Sequence, residues 1–510
     1  MSMEFSYFSW FRSFHYSWFC LFLFSSIFLF IFFLPFFIFY LLKLRFSCNC
    51  EICQAYMKSQ WTVQFTNLCD WHTYLLQNSP TKTIHIHVLN NTITANPDNV
   101  EYILKTRFEN FPKGKQFSAI LGDFLGRGIF NVDGDLWRFQ KRMASLELGR
   151  VSVRAFAFEI LSKEIDSRLI PLLESVSGGE DELDLQGVFR QFSFDVICRF
   201  LFGLDPKCFE LSLPLPKFAV SFDLASKLSA ERALNLSPIV WKIKRLLNIG
   251  SEKKLRQAIR IVNMLAQEVI RKRRKIGFLN QKDLLSRFLS TSTDIDEKFL
   301  RDIVISFLLA GRDTVASTLT SFFRLVAHHP EVEAAILAEA DKIIGKNMEL
   351  PSYEQIKALH FLHAAIYESL RLYPPVQFDS KFCLKDDLLP DGSSLKYGTR
   401  VTYHPYAMGR MEEIWGSDCL EFKPERWLKD GIFLQEDPFR YPVFQAGYRV
   451  CLGQEMALVE IKSVAISLLL KFHVKLADSR HTIPRFSPGL TTTFRDGLHV
   501  LIRSRSSAQP

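Results

Sequence analysis

The sequence predicts a mainly α-helical fold with small β-sheets, built as one large domain behind a single apolar N-terminal span. Three observations predict it. Hydrophobic residues make up 48% and charged residues 23% of the 510, enough apolar side chain for a substantial core. Helical periodicity dominates from "NPDNVEYILK", which begins at Asn96, to about residue 375, and it returns directly after Cys451. Phe19 to Leu42 is uncharged and longer than the roughly 20 residues that a membrane-crossing helix needs.

The apolar run comes first in the chain. Fourteen of the 48 Phe lie in the first 42 residues, and no polar face interrupts "FCLFLFSSIFLFIFFLPFFIFYLL". A cleaved secretory leader has an apolar stretch of ~7–15 residues and a small-residue cleavage site. This run is longer and ends in "KLRF". Pro35 is tolerated in a membrane helix. Lys43, Arg45 and Lys58 follow the span against Glu51 alone, so the positive-inside rule places the rest of the chain in the cytosol. Residues 1–46 are expected to anchor, and residues 47–510 to form the working domain. The formal charge of +9 suits anionic lipid headgroups or an acidic partner protein, and nucleic acid is a poor partner for a tethered chain.

Ten cysteines in a cytosol-facing domain argue against a disulfide framework. "CNCEIC" (Cys48, Cys50, Cys53) resembles a metal-ligand cluster, but it lacks the further spaced ligands such a site needs. Free thiols are the default reading, and juxtamembrane S-acylation is the alternative. Beyond this connector, "TKTIHIHVLNNTITANP" alternates polar and β-branched residues around "NN" and predicts a β-hairpin. A helix of about 35 residues is predicted over "DIDEKFLRDIVISFLLAGRDTVASTLTSFFRLVAHHP". "RKRRK", Arg271 to Lys275, reads as the cationic end of a helix. Residues 376–430 carry turns and short β runs, and short strands follow the last helix.

The chemistry centres on "FQAGYRVCLG", Phe444 to Gly453. A lone Cys is ordinarily a small buried hydrophobe. Here Gly447 and Gly453 flank Cys451, Arg449 precedes it by two residues, and a helix starts just after it. A cation and a helix N-terminus favour the thiolate. A thiolate beside a flat, doubly anionic object describes haem, with sulfur on iron and arginine on a propionate.

The pattern Phe444-x-x-Gly447-x-Arg449-x-Cys451-x-Gly453 resembles that of the cytochrome P-450 superfamily, and further motifs follow in that family's order over nearly all of residues 60 to 500. The resemblance implies the haem-thiolate monooxygenase fold, with haem b held by Cys451 as axial ligand. It implies dioxygen as oxidant, and electrons from NADPH through NADPH–cytochrome P-450 reductase. It places a monomer in the endoplasmic reticulum membrane with the catalytic domain facing the cytosol. In "AGRDT" the resemblance assigns Asp313 and Thr314 to proton delivery. Gly311 permits close approach to the backbone, and the Thr314 hydroxyl can bond the carbonyl four residues back and open the helix.

"ESLR" and "FKPERW" supply Glu368, Arg371 and Arg426, which the family joins in a buried structural network. In "WRFQKR", Trp137 and Lys141 stand where the family binds a propionate. Lys141 replaces the more usual Arg, keeping the charge without the bidentate grip. Lys381 stands at another propionate position. Arg138 and Arg142 are then available to dock an acidic reductase, or form a solvated helix face.

Stretches such as "GRGIFNVDGDLWRFQKRMASLELG", "YPPVQFDSKF" and "YPVFQAGYRVCLG" look like plant family 94, and "CNCEIC" with "NLCDWHTYLL" looks like its subfamily C. That family contains fatty-acid ω-hydroxylases and oxidases of jasmonoyl–isoleucine. The implied substrate is a small amphipathic acid attacked at its terminal carbon. Lys113 and Lys115 are the expected carboxylate partners; Val376, Gln377, Phe378, Leu490, Thr491 and Thr492 are the expected channel walls. Two rival classes are a haem-thiolate lyase, which needs neither dioxygen nor reductase, and a non-enzymatic haem sensor. The Asp313–Thr314 pair and the anchor disfavour the lyase, and a sensor requires only the cysteine.

Overall fold

A computed structural model describes residues 48–505 apart from 180, 207–216, 235–237, 278–280, 292–295, 346–349 and 479–482, together with Ser25, Phe28, Leu29, Phe32 and Phe33. The expected anchor span therefore lies almost wholly outside the described residues. The described chain is helix-rich with small sheets, as the periodicity predicts. The helices used below are α1 (Gly114–Leu125), α2 (Gly134–Leu148), α3 (Leu185–Phe202), α4 (Lys217–Leu234), α5 (Pro238–Leu247), α6 (Gly250–Ile276), α7 (Glu297–Val326), α8 (His360–Leu372) and α9 (Gln454–Lys471).

Helix α7 is the axis of the domain. Asp296 caps it, its side chain accepting from Phe299 N–H at 3.3 Å, with Glu297 in the first turn where the dipole favours an anion. Its 30 residues extend about 45 Å, and Pro330 prevents continuation. It packs against α3, α6, α8 and α9. Ile305, Leu319, Phe322 and Phe323 are fully buried on it. Among the described residues α7 alone is long and apolar enough to cross a membrane, yet it is mostly buried as the core helix. Phe307, Ala310 and Thr314 remain partly accessible at helical spacings of three and four. They mark one open stripe on an otherwise buried rod.

The predicted hairpin forms strands β1 (Thr83–Ile86) and β2 (Asn91–Thr94) around a short 3₁₀ turn, His87–Leu89, with Asn90 at φ +47°. They are neighbours in a four-stranded sheet completed by β3 (Asp379–Phe382) and β4 (Arg400–Tyr403). β2 runs parallel to β4 with Asn91 opposite Arg400, and β3 runs antiparallel with Asp379 opposite Tyr403. Phe382 N–H donates to Pro112 O at 2.9 Å, which ties the start of α1 to this sheet. A second sheet pairs Phe472–Leu476 with His499–Ser504. "RKRRK" closes α6 at Gly277, but Arg273 is not solvated: it meets Asp283 at 3.1 Å and the Phe202 carbonyl.

Candidate active site

The cysteine loop depends on one backbone bond and one glycine. Cys451 N–H donates to Phe444 O at 2.8 Å and closes the loop on itself. Between them Gly447 adopts φ +58°, and a Cβ there would lie 2.3 Å from the Leu104 carbonyl oxygen. Only glycine meets both demands. Gly453 ends the loop as N-cap of α9, and a Cβ there would meet no protein atom within 4 Å. The N–H groups of Gly453 and Gln454 reach the Cys451 sulfur. Sequence reasoning expects this helix start to favour the thiolate. In the chain alone burial outweighs it and pushes the thiol up, with the two N–H groups pulling against that shift. Cys451 nevertheless keeps part of its surface accessible.

Beside the loop lies a cluster of cations that sequence reasoning saw only in part. Arg449 donates to Val132 O at 2.9 Å and to Asp133 at 2.7 Å, and its guanidinium lies 4.6 Å from the Trp137 ring centroid. Lys141 donates to the Tyr448 carbonyl and sits 5.4 Å over the same ring. Lys381, fully buried, reaches Asp379 at 2.9 Å. Lys113 holds the other oxygen of Asp379, and Tyr403 O–H donates to it at 2.9 Å. The strand register causes this convergence: Asp379 and Lys381 project from β3 beside Tyr403 of β4, and the Pro112–Phe382 bond brings in Lys113. Lys113 is thus not available as the expected carboxylate partner of a substrate, while Lys115 is exposed.

Charge balance tests whether haem fits here. Burial would raise Asp379, but Lys113 and Lys381 hold its carboxyl well below the usual range. Burial pulls Lys381 well below the ordinary lysine range; Asp379 opposes this, and Lys113 and Arg449 reinforce it. Lys113, Lys141, Lys381 and Arg449 face two carboxylates, Asp133 and Asp379, which leaves two positive charges over. The buried Arg449 Nε has no partner. A flat group with two carboxylates, set against Cys451 on the open side of Gly453, answers both. Haem fits these residues.

On α7, Thr314 Oγ1 donates to Ala310 O at 2.6 Å, the back-bond that the sequence predicts, yet the helix runs on unbroken. Gly311 has another purpose than expected. A Cβ there would lie 2.4 Å from Ile197 Cδ1, so this glycine admits α3 against α7 and does not open the helix to a ligand. Asp313 is buried, its Oδ1 3.3 Å from the Arg312 guanidinium but without a hydrogen bond, and burial pushes its carboxyl up against the pull of Arg312 and Arg190.

Glu368, Arg371 and Arg426 are brought together. Arg371 donates to both Glu368 oxygens at 2.7 and 2.8 Å, and Arg426 reaches Glu368 at 2.7 Å. Trp427 Nε1 and Lys423 N–H add bonds of 2.9 Å each. The remaining guanidinium N–H groups of Arg371 cap the carbonyls of Gly409, Cys419 and Glu421. Arg138 is not free for a partner: it is held by Asp135 at 2.8 Å and Glu109 at 2.7 Å, while Arg142 is exposed.

The expected channel walls come from two segments that do meet. Thr492 N–H and Oγ1 donate to Pro375 O and Pro374 O, each at 2.8 Å, which joins Leu490–Thr491–Thr492 to the stretch before Val376. Thr492 is buried, and Val376, Gln377, Phe378, Leu490 and Thr491 are partly buried. Gln377 accepts from Cys69 Sγ at 3.0 Å, and its buried Nε2 has no acceptor.

The cytochrome P-450 family model matches residues 68–497. The chain is 56% identical over 476 residues to Cytochrome P-450 94C1 of Arabidopsis thaliana, covering 92% of this chain and 96% of that protein. It is 45% identical over 453 residues to Cytochrome P-450 94B1 of the same plant, covering 86% of this chain and 88% of the relative. It is 43% identical over 450 residues to Cytochrome P-450 94A1 of Vicia sativa, covering 86% and 87%. A cysteine loop, a cation cradle and a long core helix, met in one chain with these relatives, have one reading: the chain belongs to the cytochrome P-450 family and, within it, to plant family 94 on the side of subfamily C.

Proposed function

We propose that this monooxygenase oxidises the terminal carbon of a small amphipathic acid, carrying 12-hydroxy-jasmonoyl–isoleucine to its 12-carboxy product and hydroxylating jasmonoyl–isoleucine. Family membership brings haem-thiolate iron, dioxygen and electrons supplied by a reductase. When bound, the haem supplies reductive activation of dioxygen. The protein would supply the rest: Cys451 would hold the iron, Trp137, Lys141, Lys381 and Arg449 would hold the propionates, and Phe444, Gly447 and Gly453 would shape the loop. The Glu368–Arg371–Arg426 network keeps the segment ahead of the loop in place.

A cleft between α1 and α5–α6 supports this substrate class. Ala119, Trp241, Lys242, Arg245, Leu246 and Arg256 line about 430 Å³. Its apolar wall suits a chain; Asp123 holds Arg245 at 2.8 Å, so Lys242 and Arg256 are the rim cations for a carboxylate in place of Lys113. Terminal attack requires the chain end held and its neighbouring methylene shielded, which is positioning catalysis. The unpartnered Gln377 Nε2 is a donor suited to the alcohol formed first. α5 also exposes Ile239, Val240, Ile243, Leu246 and Leu247 beside Lys242, Lys244 and Arg245. This face suits an anionic membrane surface and supports an endoplasmic reticulum location reinforced by residues 1–46.

Reductase-enriched microsomes fed equal concentrations of lauric acid, oleic acid, jasmonoyl–isoleucine and 12-hydroxy-jasmonoyl–isoleucine test the proposal, with products identified by mass. NADPH-dependent terminal oxidation of the two jasmonoyl conjugates is expected. Turnover of the fatty acids alone refutes the hormone reading and leaves ω-hydroxylation, and oxidation mainly in mid-chain refutes terminal grip. A second expectation concerns Asp313 and Thr314. Asp313 holds a proton to higher pH than an ordinary aspartate, and with Thr314 it would supply protons for the chemistry of the haem when bound. Thr314→Ala should keep haem and substrate binding while turnover falls by ~10²–10⁴-fold and hydrogen peroxide takes up the NADPH consumed. An unchanged ratio of product to NADPH would remove this role.

A further inference from the structure

Cys48, Cys50 and Cys53 have no part in the oxidation. The sequence reads them as free thiols, and the structure leaves them free but brings them together. Their three sulfurs all lie within 4.8 Å of one another, with Cys48 and Cys50 at 3.4 Å. Four sulfurs or nitrogens around zinc at about 2.3 Å stand about 3.8 Å apart, so this spacing is that of a tetrahedral thiolate site before the ion draws it in. Cys53 is buried, Cys48 half-buried and Cys50 exposed, so the cluster has a closed floor and an open side.

A further observation points to a ligand. Sulfur acceptors in the cluster are met by backbone donors: the N–H groups of Ile52 and Cys53 reach Cys50, and that of Val88 reaches Cys53. N–H groups aimed at sulfur are the outer support that orients and stabilises metal-bound thiolates. The Val88 contact also ties the cluster to the hairpin turn, whose residues 86–89 form one compact unit with residues 48–60. Three thiols are a soft donor set that selects zinc over the harder cations, with water as the fourth donor.

We propose that Cys48, Cys50 and Cys53 bind one zinc ion that locks residues 48–53 into one arrangement beside the hairpin turn. Binding places zinc(II) on three sulfurs with water as the fourth ligand, releases the three thiol protons to solvent and involves no redox change. The inference stands apart from the substrate reading.

The test uses the full chain, purified in detergent with haem bound, and counts zinc and iron per chain by mass spectrometry. One zinc per haem iron is expected in the wild type. Cys50→Ser and Cys53→Ser should lose the zinc and keep the haem and its carbon-monoxide spectrum, which shows that these variants fold. Cys48→Ser should weaken zinc at least tenfold in competition with a coloured chelator. Wild-type zinc no higher than in the Cys48→Ser, Cys50→Ser, Cys53→Ser triple variant overturns the proposal. So does a hydroxylamine-labile acyl chain on these cysteines, or unchanged zinc affinity in Cys48→Ser.

Discussion

Arg371→Ala is expected to cost about 3–5 kcal/mol, the range for breaking a buried ion pair by removing one partner. Both Arg371 and Glu368 are fully buried. Truncation leaves Glu368 with Arg426 as its one charged partner, and it strips donors from the carbonyls of Gly409, Cys419 and Glu421. Domains of this kind are stable by about 5–15 kcal/mol in total, so the loss is a large share of what holds the haem core together. Arg371→Lys keeps a charge but not the planar fork that serves one carboxylate and three carbonyls, and it should fall between wild type and Ala. Thermal unfolding followed by haem absorbance, together with haem content per chain, checks this. An Arg371→Ala chain with an unchanged midpoint and full haem content would show that the network is dispensable.

What was legible in the sequence was local. The hairpin at 83–94, the capped helix from Glu297 and the loop from Phe444 to Gly453 each carry their own signal in turn residues, periodicity or glycines. What was missed depends on partners far apart in the chain. Asp379 and Tyr403 meet only through strand register, and Lys113 joins them through a bond from Phe382 to Pro112, so a residue read as a substrate grip is in fact an internal cation. The sequence shows that Gly311 permits close approach to the backbone but not that Ile197 is what approaches it. Arg138 looked free because Glu109 is 29 positions away.

The largest effect on activity belongs to Cys451. Its sulfur sits at the N-terminus of α9 and receives two N–H groups, and Arg449 stands two residues before it in the same loop. In the proposed reading these residues would hold haem iron and its propionates. Burial alone keeps the free thiol protonated, so the metal and not the protein field completes the thiolate. Cys451→Ala removes the ligand, and Cys451→His offers iron a neutral nitrogen in its place. Both should lose all NADPH-dependent turnover, with haem content better preserved in Cys451→His. The most direct measurement is the carbon-monoxide difference spectrum of the reduced protein. The wild type is predicted to show the thiolate-type band and both variants to lack it, whereas a Cys451→Ala chain that keeps this band would contradict the assignment of Cys451 as the axial ligand.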